Sequence, residues 1–235
     1  MRLVPLIPIV VLANASALGD DYHVYAGQNH GARKLNNDGL TYEIKGDFVN
    51  ARRCFDEAVH VDPTMWPAYV NRASLDIQEH KFHQAVDDAT MALRVKSSFN
   101  RSAILRADAN IKLGNYDSAL RDINQLLSLG EKGDAYAHAL NASAWLRATC
   151  PNSRFRNGQL AITEAKKACG LTNYQKPEVL DTLAAAYAET GDFENALRFE
   201  EKALSIRDTP AMVQHYRKHL SAYKQHRPWR DTVTN

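Results

Sequence analysis

Two histidines near the C-terminal end of the sequence have a spacing that could hold a metal ion. His215 and His219 are four residues apart, so on a helix both imidazoles would lie on one face. No acidic or cysteine residue accompanies them in the sequence, and Arg217 and Lys218 stand between them. The sequence therefore predicts no metal at this position.

Other polar pairs give no stronger indication of chemistry. Glu57 and His60 have the spacing used in di-iron proteins, but such sites need the motif twice and it occurs once. Asp87 and Asp88 are adjacent, and adjacent helix residues diverge by about 100°, so they cannot act as one acid–base pair. The sequence contains no glycine-rich phosphate loop, nucleophile elbow or HExxH stretch. We predict no enzymatic activity, no catalytic residue and no cofactor.

The three cysteines raise the question of a disulfide. Cys150 ends one predicted helix and Cys169 ends the next, which places them roughly 15 Å apart at 1.5 Å per residue. A disulfide tolerates a Cα separation under about 7 Å. Unless the connecting loop folds back, this pair is expected to stay reduced, and Cys54 is left without a partner in any case. Buried, small hydrophobic side chains are the favoured interpretation.

Small and apolar residues at helical spacing organise the segment 177–206. Residues three or four apart predict one face of a first helix: Leu180, Leu183, Ala184 and Tyr187. Gly191 interrupts the pattern, since glycine can adopt the left-handed conformation that ends a helix. The inner face of a second helix follows: Ala196, Phe199, Ala203 and Leu204. Such a hairpin cannot bury its apolar face alone and needs neighbours.

The same pattern recurs upstream at a fixed period. Two series of small residues are each spaced by 34 positions: Gly39, Ala73 and Ala107, and Ala51, Ala85 and Ala119. A period held over three units is typical of a stacked repeat array. With these residues the chain resembles the tetratricopeptide repeat family, whose unit is two antiparallel helices of about 34 residues. It departs from the family pattern at Asp76 and Asn110, where an aromatic residue is usual.

The resemblance implies an all-α fold, namely a right-handed superhelical solenoid of about five helix–turn–helix hairpins and a C-terminal capping helix. The array is predicted over 32–208, with units at about 32–65, 66–99, 100–133, 135–170 and 177–208. A capping helix at 209–227 and a tail at 228–235 are expected. The fourth unit is longer, and it resembles a variant common in envelope-associated bacterial members of the family.

The first 17 residues differ from the rest of the chain. Arg2 precedes an apolar run of about 11 residues, and Ala15-Ser16-Ala17 follows as the small-x-small triplet of a cleaved secretory signal. The run is shorter than the roughly 20 apolar residues that a membrane span needs. We therefore expect a signal peptide at 1–17, a linker at 18–31 and an exported protein, periplasmic or secreted. The alternative is a disordered apolar start.

The overall charge gives little indication of a nucleic-acid partner. The chain has 29 Lys and Arg against 27 Asp and Glu, a formal net charge of +2. Basic residues are concentrated near the C-terminus: Arg217, Lys218, Lys224, Arg227 and Arg230. Trp229 lies among them. A solvated cap is the favoured interpretation of this basic tail, and an anionic binding surface is the alternative.

The resemblance also implies where a partner would bind. In the family, first helices line a concave groove that holds an extended peptide or a partner helix. The family register places these residues in the groove: Asn36, Leu40, Glu43, Val70, Asn71, Ser74, Ile77, Gln78, Arg101, Ile104, Asp108, Ile111, Lys112 and Trp145. Each could instead be solvated scaffold. Asn71 and Arg101 suit the carboxylate clamp of chaperone-binding members, but the rest of the clamp is missing, which disfavours a receptor for chaperone tails.

The predicted function is a non-enzymatic protein–protein interaction scaffold, in the bacterial cell envelope by the likeness of the fourth unit. Its partner would be a protein or peptide, without nucleic acid or a membrane span, and self-association is a further possibility. One alternative is an accessory or regulatory subunit of an envelope enzyme. Another is a binder of a small ligand or glycan, which should show exposed aromatic residues along the groove; Trp145 is the one candidate.

Overall fold

The computed structural model describes residues 29–96, 100–130 and 133–232; the predicted signal peptide and nearly all of the linker lie outside these ranges. Apart from one short 3-10 helix, Ser153–Phe155, the regular elements in these ranges are α-helices. They are α1 (His30–Ile44), α2 (Phe48–Val61), α3 (Trp66–Gln78), α4 (Phe82–Val95), α5 (Asn100–Lys112), α6 (Tyr116–Ser128), α7 (Asp134–Thr149), α8 (Gly158–Leu171), α9 (Pro177–Glu189), α10 (Phe193–Ser205) and α11 (Pro210–Lys224). The predicted all-α class is confirmed.

Consecutive helices pair into hairpins, most extensively α1 with α2, α3 with α4, α7 with α8, and α9 with α10. The last helix, α11, packs against α10. The chain divides into two compact units, and the boundary falls inside α5, between Ala109 and Asn110. We call these the N-terminal unit and the C-terminal unit and describe each by itself.

The turn between α9 and α10 forms as the sequence predicts. Gly191 has a φ of 83°, the left-handed region that glycine enters without a Cβ penalty. Asp192 then caps α10, because its side chain accepts a hydrogen bond from the backbone N–H of Asn195. In the N-terminal unit His80 holds the equivalent position with a φ of 60°. The repeat thus keeps its turn conformation even where glycine is absent.

Small residues at the predicted positions let the helices of the N-terminal unit pack closely. Ala51, Ala73 and Ala85 have no exposed surface. Phe55 of α2 is also fully buried, and its ring lies against Gly39 of α1. A Cβ at position 39 would be 2.5 Å from the Phe55 ring, so this approach of α1 and α2 requires glycine.

The core of the C-terminal unit is built from α7 to α11. Leu180, Leu183 and Ala184 of α9 are fully buried in it, together with Cys169 of α8. Cys54, Cys150 and Cys169 are all free and buried, in agreement with the prediction. Burial raises the pKa of Cys169 to about 12, so its thiol stays protonated at neutral pH.

Among the described helices, we find none with the combination of length and apolar character that a membrane span requires.

Candidate functional site

The first helices of the N-terminal unit bring several predicted groove residues onto one surface. Asn36 on α1 and Asn71 on α3 are both buried, and the Asn71 amide donates a hydrogen bond of 2.9 Å to Oδ1 of Asn36. The two residues are 35 positions apart, about one repeat. This separation is one more than the 34-residue period, so the bond ties the first helices of two successive hairpins together at positions offset by one residue.

Two helical turns further along, Glu43 follows on α1 and Gln78 follows on α3. Nε2 of Gln78 on α3 lies 3.5 Å from Oε1 of Glu43 on α1. Burial raises the pKa of Glu43, although the charge of Arg101 on α5 and the bond from Gln78 act in the opposite direction. Burial likewise lowers the pKa of Arg101, and Glu43 opposes this shift. Two opposite, partly desolvated charges thus attract each other across the surface.

The remaining predicted residues of this unit differ in exposure. Val70, Ser74 and Ile77 of α3 are buried, at about 2% exposure each, and serve as core. Partly exposed residues remain beside the charged pair: Leu40, Ile104 and Asp108. We use the name first-helix face for the surface formed by Asn36, Leu40, Glu43, Asn71, Gln78, Arg101, Ile104 and Asp108.

The last three predicted groove residues lie in the C-terminal unit, where the chain's own tail engages two of them. Nζ of Lys112 forms an ion pair of 3.0 Å with Oδ2 of Asp231. Nε1 of Trp145 donates a hydrogen bond of 3.2 Å to the same oxygen, and the Trp145 ring is buried. Ile111, the residue before Lys112 on α5, is partly exposed. Burial opposes ionisation of Asp231, but Lys112 and the bond from Trp145 hold its pKa below the ordinary value.

Further contacts fix the tail in this position. The backbone N–H of Asp231 donates to the carbonyl of Thr149 at 2.9 Å, and the Arg230 guanidinium donates to the carbonyl of Ala148. Arg230 also forms an ion pair with Glu189. The last two carbonyls of α7, those of Ala148 and Thr149, therefore find their partners in the tail. Arg230 is thus structural, whereas the neighbouring Arg227 is exposed.

Sequence reasoning missed the tail because its partners are distant along the chain. Asp231 lies 119 positions from Lys112 and 86 from Trp145. The periodic pattern of apolar and small residues predicts contacts between neighbouring helices and repeats. It does not predict where an irregular segment such as the tail will pack. The one available signal was Trp229, a large apolar side chain in an otherwise polar tail.

Comparison with known proteins agrees with this architecture. Residues 177–210, which cover α9, α10 and the start of α11, match the family model described as a tetratricopeptide repeat. A crystal structure of a tetratricopeptide repeat protein from Parabacteroides merdae shares the fold with a TM-score of 0.61; it is 18% identical, and the match covers 84% of this chain and 75% of that one. The fold is that of a tetratricopeptide-repeat array. The predicted fold class is thereby confirmed.

Longer proteins contain the same fold. The Cut9–Hcn1 hetero-tetramer of APC/C aligns with a TM-score of 0.72 at 17% identity, over 90% of this chain and 39% of that one. A DnaJ homolog subfamily C member 7 homolog from Dictyostelium discoideum is 27% identical over 171 residues, which are 71% of this chain and 30% of that protein. This chain spans less than a third of the length of the curated relatives it matches. These relatives are eukaryotic.

Proposed function

We propose that this tetratricopeptide array is a non-enzymatic scaffold that binds a peptide or a partner helix on the first-helix face of its N-terminal unit. The observation that supports this most directly is the meeting of Glu43, Gln78 and Arg101, from three successive first helices, on one surface. The charges of Glu43 and Arg101 are already partly desolvated. A partner that forms ion pairs with them therefore displaces less bound water, and loses less free energy in doing so, than it would at an exposed site.

The amides beside these charges suit an extended backbone. An asparagine amide carries two N–H donors and an acceptor oxygen, and the bond to Asn36 uses one donor of Asn71. Leu40 and Ile104 add apolar surface next to the polar residues. A face that combines backbone hydrogen-bonding groups, opposite charges and aliphatic side chains matches a peptide better than a sugar, for which stacking aromatic rings would be needed.

The glycan alternative loses its one aromatic candidate. Trp145 is only 3% exposed, and Asp231 occupies its indole N–H. An accessory subunit of an enzyme stays compatible with the proposal, because it would also act through a protein-binding face. Self-association would use the same kind of surface and would appear as a concentration-dependent mass in light scattering.

The groove is tested with the double variant Asn71→Ala and Arg101→Ala in the full chain. The partner is first recovered by affinity capture and mass spectrometry, and its dissociation constant is then measured by calorimetry. We expect binding at least tenfold weaker, about 1.4 kcal/mol. Because Asn71 also bonds to the buried Asn36, circular dichroism must show that the variant is fully folded at the temperature of the binding measurement. Asn37→Ala with Arg53→Ala, two exposed positions on α1 and α2, is the matched control and should bind normally.

Full binding by the folded double variant would refute the first-helix face. Loss of binding on mutating Arg227 and Arg230 instead would move the contact to the basic tail. Because Arg230 also holds α7 and α9, the melting temperature of that second variant must be compared with the wild-type value.

We further propose that the chain is exported and works in the bacterial cell envelope. The support is the apolar run followed by Ala15-Ser16-Ala17, together with the resemblance of the fourth repeat to envelope-associated members. N-terminal sequencing of the protein from its native source should find a mature chain beginning near Leu18. An intact Met1 on protein from the cytoplasm would remove both the location and the envelope role.

A further inference from the structure

Three potential metal ligands meet in the interior of the C-terminal unit. Asp181 on α9 and His215 and His219 on α11 each offer one ligand atom, and these atoms lie within 4.8 Å of one another. The exposed fractions of the three residues are 1%, 3% and 0%. The two imidazoles share one face of α11, as their spacing predicts. The carboxylate that the local sequence lacks comes from a helix 38 positions away.

Several nitrogen atoms of this cluster have unmet bonding capacity. Among the described residues, neither ring nitrogen of His215 nor Nε2 of His219 has a hydrogen-bond partner, and all three atoms are buried. Nδ1 of His219 lies 2.6 Å from Oδ1 of Asp181. A buried polar atom without a partner costs free energy, and the ring nitrogens of two neighbouring imidazoles that make no hydrogen bond have lone pairs with which to bind a metal ion.

A second carboxylate lies beside the three ligands. Oε1 of Glu200 on α10 is 4.0 Å from Nδ1 of His219, and the Glu200 side chain is fully buried. Its carboxyl group therefore lies close enough to contribute a further oxygen ligand to an ion held by Asp181, His215 and His219.

We propose that Asp181, His215 and His219 form a binding site for a divalent transition metal, with the adjacent Glu200 as a candidate fourth ligand. Two imidazoles with carboxylate oxygens match zinc, whereas magnesium and calcium prefer oxygen ligands alone. Bonds of 2.0–2.2 Å place tetrahedral ligands about 3.3–3.6 Å apart, so the ligand atoms of Asp181, His215 and His219, now within 4.8 Å of one another, must draw together by up to about 1.5 Å on binding.

The surroundings indicate a structural metal, closed to solvent. The rings of Trp229 and Trp145 lie 4.3 Å and 5.6 Å from the His219 ring, centroid to centroid. Trp229 belongs to the tail that closes over α7, so the tail would form the cover of the site. A bound metal would join α9 and α10 to the last helix, α11, and so lock the end of the array.

The test uses the untagged full chain, treated with EDTA and dialysed. Zn²⁺ is titrated against a chromogenic chelator, and bound metal is counted by inductively coupled plasma mass spectrometry. We expect one Zn²⁺ per chain and a higher melting temperature after loading. Co²⁺ used as the probe should give the intense visible d–d bands of a tetrahedral site with nitrogen and oxygen ligands.

Variants assign the ligands. His215→Gln, and separately His219→Gln, should weaken Zn²⁺ binding by more than about 100-fold, which exceeds the usual effect of residues outside the coordination sphere. His83→Gln, an exposed histidine on α4, should bind as the wild type does. Because loss of a buried histidine can impair folding, circular dichroism of each metal-free variant accompanies the titration, and Asp181→Asn provides a variant of equal volume.

Two results would overturn the proposal. The first is a folded wild-type chain that takes up no stoichiometric Zn²⁺ and gives no tetrahedral Co²⁺ spectrum, which would make the cluster a buried polar network. The second is undiminished Zn²⁺ binding by folded His215→Gln and His219→Gln chains, which would place the metal elsewhere.

Discussion

Replacing Phe55 with alanine is expected to lower the free energy of unfolding by about 3–5 kcal/mol. Phe55 has no exposed surface, and its ring fills the space that Gly39 leaves open between α1 and α2. Removing the ring deletes its transfer free energy and leaves a cavity that the hairpin can close only in part. Urea unfolding followed by circular dichroism measures the loss.

Phe48→Ala is the matched control, since Phe48 begins the same helix with 41% of its surface exposed. It should change stability by about 0.5 kcal/mol or less. Gly39→Ala should cost about 1–3 kcal/mol through overpacking, and Phe55→Leu in the same chain should recover part of that cost because the two sites touch. Additive effects of the last two substitutions would contradict the contact.

Replacing Asp231 with alanine should destabilise the C-terminal unit by about 2–3 kcal/mol. The substitution leaves the partly buried ammonium of Lys112 without its ion-pair partner and the indole N–H of Trp145 without its acceptor. A buried charged donor left without its partner costs more free energy than a neutral hydrogen bond contributes. Lys112 is still partly exposed, so the expected loss of stability is smaller than for a fully buried ion pair. Urea unfolding monitored by tryptophan fluorescence is the measurement.

Asp231→Asn separates the two contributions. It keeps an acceptor for Trp145 and removes the charge opposite Lys112, so it should cost less than alanine does. Asp117→Ala is the surface control, because Asp117 pairs with Arg154 while both side chains are about two-thirds exposed. It should cost at most about 1 kcal/mol. Equal effects of Asp231→Ala and Asp117→Ala would show that the tail is not docked in solution.

The helical hairpins could be predicted from the sequence because their cause is local and repeated. The 34-residue spacing of Ala51, Ala85 and Ala119 follows from one packing requirement met in each unit, and all three are fully buried. The left-handed Gly191 likewise follows from local backbone sterics. Neighbouring repeats also explain the bond between Asn36 and Asn71.

Features without a period could not be predicted in this way. The proposed metal site brings Asp181 of α9 next to His215 and His219 of α11. Periodic apolar residues predict which face of a helix is buried, but three single polar residues do not predict which two helices will meet. The family register predicts that Lys112 and Trp145 line the groove. A repeat pattern contains no information about an irregular tail, and here the carboxylate of Asp231 in the tail bonds to both side chains. Val70, Ser74 and Ile77 were placed at the groove and are core.

The two units differ in how far their predicted groove residues are already engaged within the chain. In the C-terminal unit Asp231 engages the predicted groove residues Lys112 and Trp145 from within the chain. In the N-terminal unit the charged pair of Glu43 and Arg101 stays partly exposed. This difference supports the proposal that a partner binds the first-helix face, whereas the tail packs within the C-terminal unit.

Hydrogen–deuterium exchange of the full chain, with and without the captured partner, tests this proposal most directly. The prediction is slower exchange on binding in α1, α3 and the first part of α5, with little change in α10 and α11. Protection confined to α11 and the residues after it, with unchanged exchange in α1 and α3, would contradict recognition by the first-helix face.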